Sequence, residues 1–516
     1  MKIGIYNRWL HTLGGGEKHS LAMASLLSKE NDVEVISHKE ILKSSAEERL
    51  NLDLSKVNFV FIQDRPAYMI SELTSAYDLF INSSFMDFFP CYSAKSMDLI
   101  FFPARIEELT FNKTKHKIGR IIKKWLSVPY IKQGVREIIV KDGYFSYLVD
   151  DNFSIELPKI SETLPIFLSL KPHCEIETNV SLFINGKEIQ TQHNDGHTNT
   201  CFDVLVGPSE KNMILTIQIH DEEGKRIPAD LEINRLMLFN NRYKLFVNLF
   251  ETKLKNFGLR LQQLPFTSSD ILKFISTYDV VLANSKFTQT WIKRYWNINS
   301  EILYPLVDIE NFSGGTKQKR IVTTGRFFAG GHNKKHDVMI KAFKEMVDEG
   351  LENWEFVLIG GSTPGEEHKN YLNLLQKDSE NYPIRFFVDT PFATLVEILQ
   401  GASIYWHASG YGENEFVNPI RFEHFGITTV EGMASGAVPV VINKGGQPEI
   451  ISQGLNGYLW DDLDELKKYS WQLINDPILL QKLSINALRD SKQFNTESFK
   501  IALEEIMAKI GLELGF

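Results

Sequence analysis

The chain has 516 residues, 43% of them hydrophobic and 12% aromatic, which is enough for several domains with real cores. Its net charge of -9 argues against a whole-protein electrostatic grip on nucleic acid. Three widely spaced cysteines, Cys91, Cys174 and Cys201, contain no C-x-x-C pair; they fit reduced thiols in a cytoplasm better than a disulfide framework or a zinc site.

In chain order, Met1 runs straight into a strand at Lys2 to Tyr6, with no charged and apolar leader, and no apolar run reaches the roughly 20 residues that span a bilayer. A cytoplasmic protein is expected, at most touching the inner face of a membrane. Gly14-Gly15-Gly16 follows the first strand and a helix begins near Glu17, so backbone there can approach a phosphate or an acceptor closely. Strands at Val33 to Ile36, Val57 to Ile62 and Leu79 to Ile81 continue a βα rhythm, which predicts a parallel sheet. Residues 113–126 join a basic face to Ile118, Ile121, Ile122, Trp125 and Leu126; the pattern fits a helix lying on anionic lipid and equally an amphipathic helix packed on its own domain.

From about 137 to 242 the pattern changes to short alternating runs, such as Val180 to Ile184, Cys201 to Val206 and Met213 to His220, with turns such as Asn185-Gly186. These predict an inserted antiparallel sandwich or curled sheet. Its Tyr144, Phe145, Phe153 and Phe202 can stack on sugars or serve the sheet's own core. The βα rhythm resumes with Arg320 to Thr324, Val338 to Glu349, Phe356 to Ile359, Leu395 to Gln400 and Ala402 to Tyr405. Two parallel-sheet domains follow, with a ligand cleft expected between the carboxyl ends of their strands. The domains are 1–136 and 243–300 for the first, 137–242 for the insertion and 301–516 for the last, whose terminal helix from Thr496 crosses back.

Residues 423–431, Glu-His-Phe-Gly-Ile-Thr-Thr-Val-Glu, are the most informative segment. Thr428 or Thr429 is the expected N-cap of a helix that Gly436 ends, with Glu423 in the loop and Glu431 in the helix. Helix N–H groups favour a diphosphate, and the two carboxylates can accept hydrogen bonds from sugar and ribose hydroxyls.

This segment resembles the E-x7-E element of retaining glycosyltransferases of family 4, whose GT-B fold has two facing Rossmann-like domains. Other marks occur in the family's order: the glycine loop, Ala283-Asn284-Ser285, Tyr304-Pro305-Leu306-Val307-Asp308, Gly325-Arg326 with Lys334, Trp406-His407-Ala408 and Gly445-Gly446-Gln447-Pro448-Glu449. The resemblance implies that Arg326 and Lys334 clamp the donor diphosphate, with Lys335 a competitor for the second place because the loop Ala329 to Asn333 is long. It gives Glu431 the ribose, and sets Glu423 and the backbone of His424, Phe425, Gly426 and Ile427 against the donor sugar, with Gly15 and Gly16 opposite. Many relatives carry a His at the place of Phe101; His11, His19 and His407 are loose candidates for its contact.

The implied activity is metal-independent transfer, with retention and without a cofactor, from a nucleotide sugar to a glycan or lipid-linked glycan in surface polysaccharide assembly. The segment Glu-His-Phe-Gly-Ile tilts the donor toward GDP-mannose. A nucleotide-sugar epimerase and a non-catalytic glycan-binding subunit of the same fold are the alternatives. Asp462-Leu463-Asp464 has the look of a metal-binding D-x-D but reads as surface charge. The oligomeric state is open.

Overall fold

The computed structural model describes residues 1–62, 70–105, 130–141, 144–157, 163–172, 177–194, 200–238 apart from 210, 212, 222 and 230, then 272 and 274–513. The basic stretch 113–126, Cys174 and the whole of 243–271 lie outside the described residues.

The first sheet contains β1 (Lys2–Tyr6), β2 (Asp32–Ser37), β3 (Val57–Phe61), β4 (Leu79–Asn82) and β5 (Lys95–Ile100). A second sheet is built from β6 (Tyr130–Lys141), β7 (Tyr144–Leu157), β8 (Leu164–Pro172), β9 (Thr178–Ile184), β10 (Lys187–Asn194), β11 (Thr200–Val206), β12 (Met213–His220) and β13 (Leu231–Leu238). The chain then returns to the first sheet with β14 (Val280–Ala283) and β15 (Glu301–Ile302), giving the order β15-β14-β5-β4-β1-β2-β3, parallel throughout. Leu79, Phe80 and Ile81 are all fully buried, as parallel strands covered on both faces require.

The inserted sheet is antiparallel, in the order β10-β9-β12-β7-β13-β8-β11 with β6 on β7. Along β12 buried and half-buried residues alternate strictly, and Met213, Leu215, Ile217 and Ile219 join Phe153 and Phe202 in one core. Phe153 and Phe202 therefore serve the core and are not open to sugars. The sheet curls: buried Asn194 of β10 donates to Thr200 of β11 (2.7 Å), tying its two end strands together. Strand β6 straddles the expected boundary at residue 137, because three register shifts against β7 break the period-two pattern that would have revealed it.

The last domain has β16 (Arg320–Thr324), β17 (Glu355–Gly360), β18 (Ile384–Val388), β19 (Ile404–His407), β20 (Val438–Ile442) and β21 (Tyr458–Trp460), parallel in the order β18-β17-β16-β19-β20-β21. Helices such as His336–Asp348 and Leu463–Asn475 pack their apolar faces on this sheet. The terminal helix Thr496–Lys509 crosses back: Phe499, Leu503, Ile506 and Met507 are buried in one cluster with Ile3, Leu21 and Leu79 of the first domain. Among the described residues no helix is long and apolar enough to cross a membrane.

Candidate functional site

The site lies where the carboxyl ends of β16 and β19 meet the segment 423–427. Arg326 lies two residues beyond the end of β16 and is exposed. The stem of Lys334 fills the space a side chain at Gly325 would take, with Lys334 Cγ 2.5 Å from where a Cβ would stand. This glycine lets the lysine lie flat against the strand end and turn its ammonium onto the Glu423 carboxylate. Lys335, in a left-handed conformation (φ 55), turns the other way and donates to Glu413 (3.2 Å). Of the two competing lysines, only Lys334 meets Glu423.

Glu423 also accepts from His407 Nε2 at the end of β19 (2.9 Å). Burial raises the cost of its charge, but the Lys334 ammonium and the His407 ring outweigh that and hold the carboxyl well below its usual range. His407 is itself buried, and desolvation lowers its pKa. Gly445 and Gly446 allow the following loop to press on this segment: Gly446 N–H donates to Glu423 O (2.8 Å), and a Cβ on Gly445 would lie 2.3 Å from the same carbonyl.

The helix runs Ile427–Ala434, and its N-cap is Gly426 at φ 124, not Thr428 or Thr429. The chain turns in by a conformation only glycine adopts comfortably, so the threonines fall inside the first turn. Thr428 Oγ1 accepts from Tyr405 OH (2.8 Å). Phe425 is buried in the domain core, while the His424 ring stacks on Phe102 of the first domain (4.4 Å between centroids, 19°).

The first domain closes the site from the other side. The Gly14-Gly15-Gly16 turn is held by Glu17, which accepts from Gly14 N–H and Thr12 Oγ1 (2.8 Å each). A Cβ on Gly15 would stand 3.6 Å from Ile427 Cδ1, and one on Gly16 would stand 3.4 Å from the Phe101 ring. Lys18, one turn into the helix Gly15–Leu27, pairs with Glu431 Oε1 (2.7 Å), and the two side chains are only 11% and 6% exposed. The predicted groups thus converge from both domains, with Glu431 already holding a cation.

His19 is buried between Phe101 and Phe499, with no partner for either ring nitrogen, and burial lowers its pKa to about 4. It is a core residue. His11 meets Lys39 Nζ (3.3 Å) on the first domain. Asp462 caps the helix Leu463–Asn475 by accepting from Glu465 N–H (2.9 Å), and Asp464 is exposed, so this pair has a structural place at a helix start.

Three participants have no role assigned to them from the sequence. Lys18 is one. Glu449 is another: it accepts from the N–H groups of Lys286 and Phe287 (2.7 Å each), at the start of the helix Lys286–Trp296 of the first domain. The third is Arg105, which donates to Val417 O (2.5 Å) and Phe416 O (3.2 Å) across the domains. The motif around Glu449 was visible, but nothing local marks its partner. A cavity of about 480 Å³ opens beside Phe327, the residue after Arg326, and is lined also by Ser362, Thr363, Gly365, His368 and Lys369.

Residues 309–490 match the family model described as glycosyl transferases group 1. A GDP-Man:Man(3)GlcNAc(2)-PP-Dol alpha-1,2-mannosyltransferase of Xenopus laevis is 28% identical over 249 residues, 44% of this chain and 47% of that protein. The alpha-1,3/1,6-mannosyltransferase ALG2 of Dictyostelium discoideum is 25% identical over 311 residues, 53% of this chain and 72% of that one. Thus the chain spans about half the length of the first of these relatives. Among solved structures, Anabaena Alr3699/HepE in complex with UDP and glucose superposes with a TM-score of 0.51 at 13% identity, covering 98% of this chain and 99% of that one. A sucrose-phosphate synthase from Thermosynechococcus elongatus gives 0.50 at 10% identity, covering 99% of both chains. These likenesses show the fold, the GT-B arrangement of two Rossmann-like domains.

Proposed function

We propose that this chain, a group 1 glycosyltransferase of GT-B fold, moves a sugar with retention from a nucleotide diphosphate donor to a lipid-linked glycan. GDP-mannose leads the donor list, because the relatives that align with the chain are named for GDP-mannose and dolichol-linked glycans. The observation that carries the reading is the clustering of Lys334, Glu423 and His407 beside exposed Arg326, at the sheet end where such folds bind ligands.

In this reading Arg326 and Lys334 take the diphosphate and supply its counter-charge without a metal ion. Glu431 takes the ribose, the nucleoside extends toward the cavity beside Phe327, and Glu423 faces the sugar. The bond from the anomeric carbon to phosphate breaks, its electron pair leaving with the nucleoside diphosphate. On the same face the acceptor hydroxyl oxygen bonds to that carbon, and its proton passes to the departing phosphate oxygen. No protein base is required, so Phe101 at the place of a familiar His is compatible with turnover. A lipid-linked acceptor would bring the protein to a membrane surface.

The test is thermal stabilisation by UDP, GDP, dTDP, ADP and CMP, in the wild type and in Arg326→Ala. A shift with one diphosphate that vanishes in the variant is expected. Stabilisation by none would point to a non-catalytic binding protein.

A further inference from the structure

The loop between β16 and the helix His336–Asp348 does more than deliver Lys334. Gly330 and Gly331 let it pack closely on its neighbours: a Cβ on Gly330 would lie 2.2 Å from the Phe328 ring, and one on Gly331 would lie 3.0 Å from Arg421 Nε. Asn333 then pins it, its Oδ1 accepting from Lys335 N–H (3.1 Å) and its carbonyl accepting from Ser409 Oγ (3.1 Å). His332 stands between these glycines and that anchor. Its ring meets His424 edge to face (5.0 Å between centroids, 76°), and His424 is in turn stacked on Phe102, so the imidazole has a fixed seat.

The half-buried His332 ring makes no hydrogen bond among the described residues. Arg326, Lys334 and Glu423 are all close enough to act on its charge. Burial first, and then His424 and Lys334, lower its pKa to about 3, so the ring is neutral in the physiological range and has one N–H to give. Buried His19 also lacks a partner but is sealed in a core; His332 is only half-buried, is seated by its ring contact with His424, and keeps that N–H free next to the groups proposed to meet the diphosphate and the sugar.

We propose that His332 is a further ligand of the donor, donating a hydrogen bond to the sugar-bearing phosphate between Arg326 and Lys334. The inference rests on the donor-site reading of those residues. A neutral donor there adds a directed contact without a third positive charge, and so does not hold back the departing diphosphate as another cation would.

The experiment compares the affinity of the full chain for UDP and GDP with its affinity for UMP and GMP, in wild type, His332→Ala and His332→Gln. Alanine is expected to weaken the diphosphate that binds by about tenfold or more, as loss of a hydrogen bond to a charged group implies. The matching monophosphate should hold within about twofold, since it lacks the phosphate in question; glutamine, which can still donate, should recover much of the loss. Unchanged diphosphate affinity in His332→Ala, or equal loss for both nucleotides, overturns the inference while leaving the donor site standing. A wild type that binds neither diphosphate overturns the donor site and this inference together.

Discussion

Glu423 carries its charge among groups that compete for it. The Lys334 ammonium and the His407 ring share its Oε2, so the carboxylate is both ionised and aimed, and Lys334 is kept from the phosphate until a donor arrives. Glu423→Gln is expected to lower turnover about 100-fold or more while leaving nucleoside diphosphate affinity within a few-fold, because the loss falls on charge developing at the sugar. A loss confined to diphosphate binding would move Glu423 to the role of holding Lys334. Asp98 of β5 has the opposite balance. It is buried, receives one hydrogen bond from Asn82 Nδ2 (2.9 Å), and desolvation pushes its pKa up to about 8 against that bond. The folded protein therefore holds this proton where the unfolded chain has released it, and stability falls as pH rises from the ordinary carboxylate pKa of 3.8 toward 8. Asp98→Asn should raise the melting temperature by a few degrees at about pH 8 and bring no gain at about pH 4, as melting curves across that range would show.

At the scale of elements, the turn into the helix Ile427–Ala434 decides the site. Gly426 has φ 124, and a Cβ on it would stand 2.7 Å from Gln447 Nε2 and 3.1 Å from Ile450 Cδ1. Gly426→Ala is expected to cost about 2 kcal/mol or more and to weaken diphosphate binding with it, since the displaced turn carries Glu423 and the helix N–H groups. Gly15→Ala offers the contrast: its Cβ would make an ordinary 3.6 Å contact with Ile427, so melting should hardly change. Equal destabilisation by both would refute the account of Gly426. This turn also shows how much the sequence discloses. The carboxylates, the helix and the following strand Val438–Ile442 were legible because caps, glycines and apolar runs are local signals. The N-cap was misread because threonine is a good cap by propensity, whereas close packing of Gly445 and Gly446 under the segment demands a glycine turn instead. Lys18 with Glu431, Glu449 with Lys286 and Arg105 with Phe416 are separated by 413, 163 and 311 residues, and no periodicity reaches that far.

At the scale of the molecule, the chain passes between the two lobes twice. Leu306 packs in the first lobe's core and Val307 in the last lobe's; on the way back Phe494 belongs to the last lobe and Phe499 to the first. The two crossings are joined where Val307 N–H donates to Phe494 O (2.9 Å), and beyond them the helix Thr496–Lys509 packs on the first lobe. On the cleft side, Lys18 and Glu431 bridge the lobes with both side chains nearly buried. A buried pair of this kind contributes little net stability, yet removing one partner strands the other, so the lobes are held by a contact that is costly to break halfway. In the proposed donor site the ribose hydroxyls reach for the same Glu431 carboxylate, so a bound nucleotide can take over the bridge. Lys18→Met keeps the apolar stem and removes the charge. Small-angle scattering should then show a larger radius of gyration than wild type without nucleotide, because Glu431 gains hydration only by opening the cleft. Saturating nucleoside diphosphate should return the variant to the wild-type value, the ribose supplying what Lys18 did. If the variant keeps the wild-type radius and loses nucleotide affinity instead, Lys18 is a ligand of the donor and the other contacts between the lobes, such as Arg105 with Val417 and Glu449 with Lys286, set their spacing.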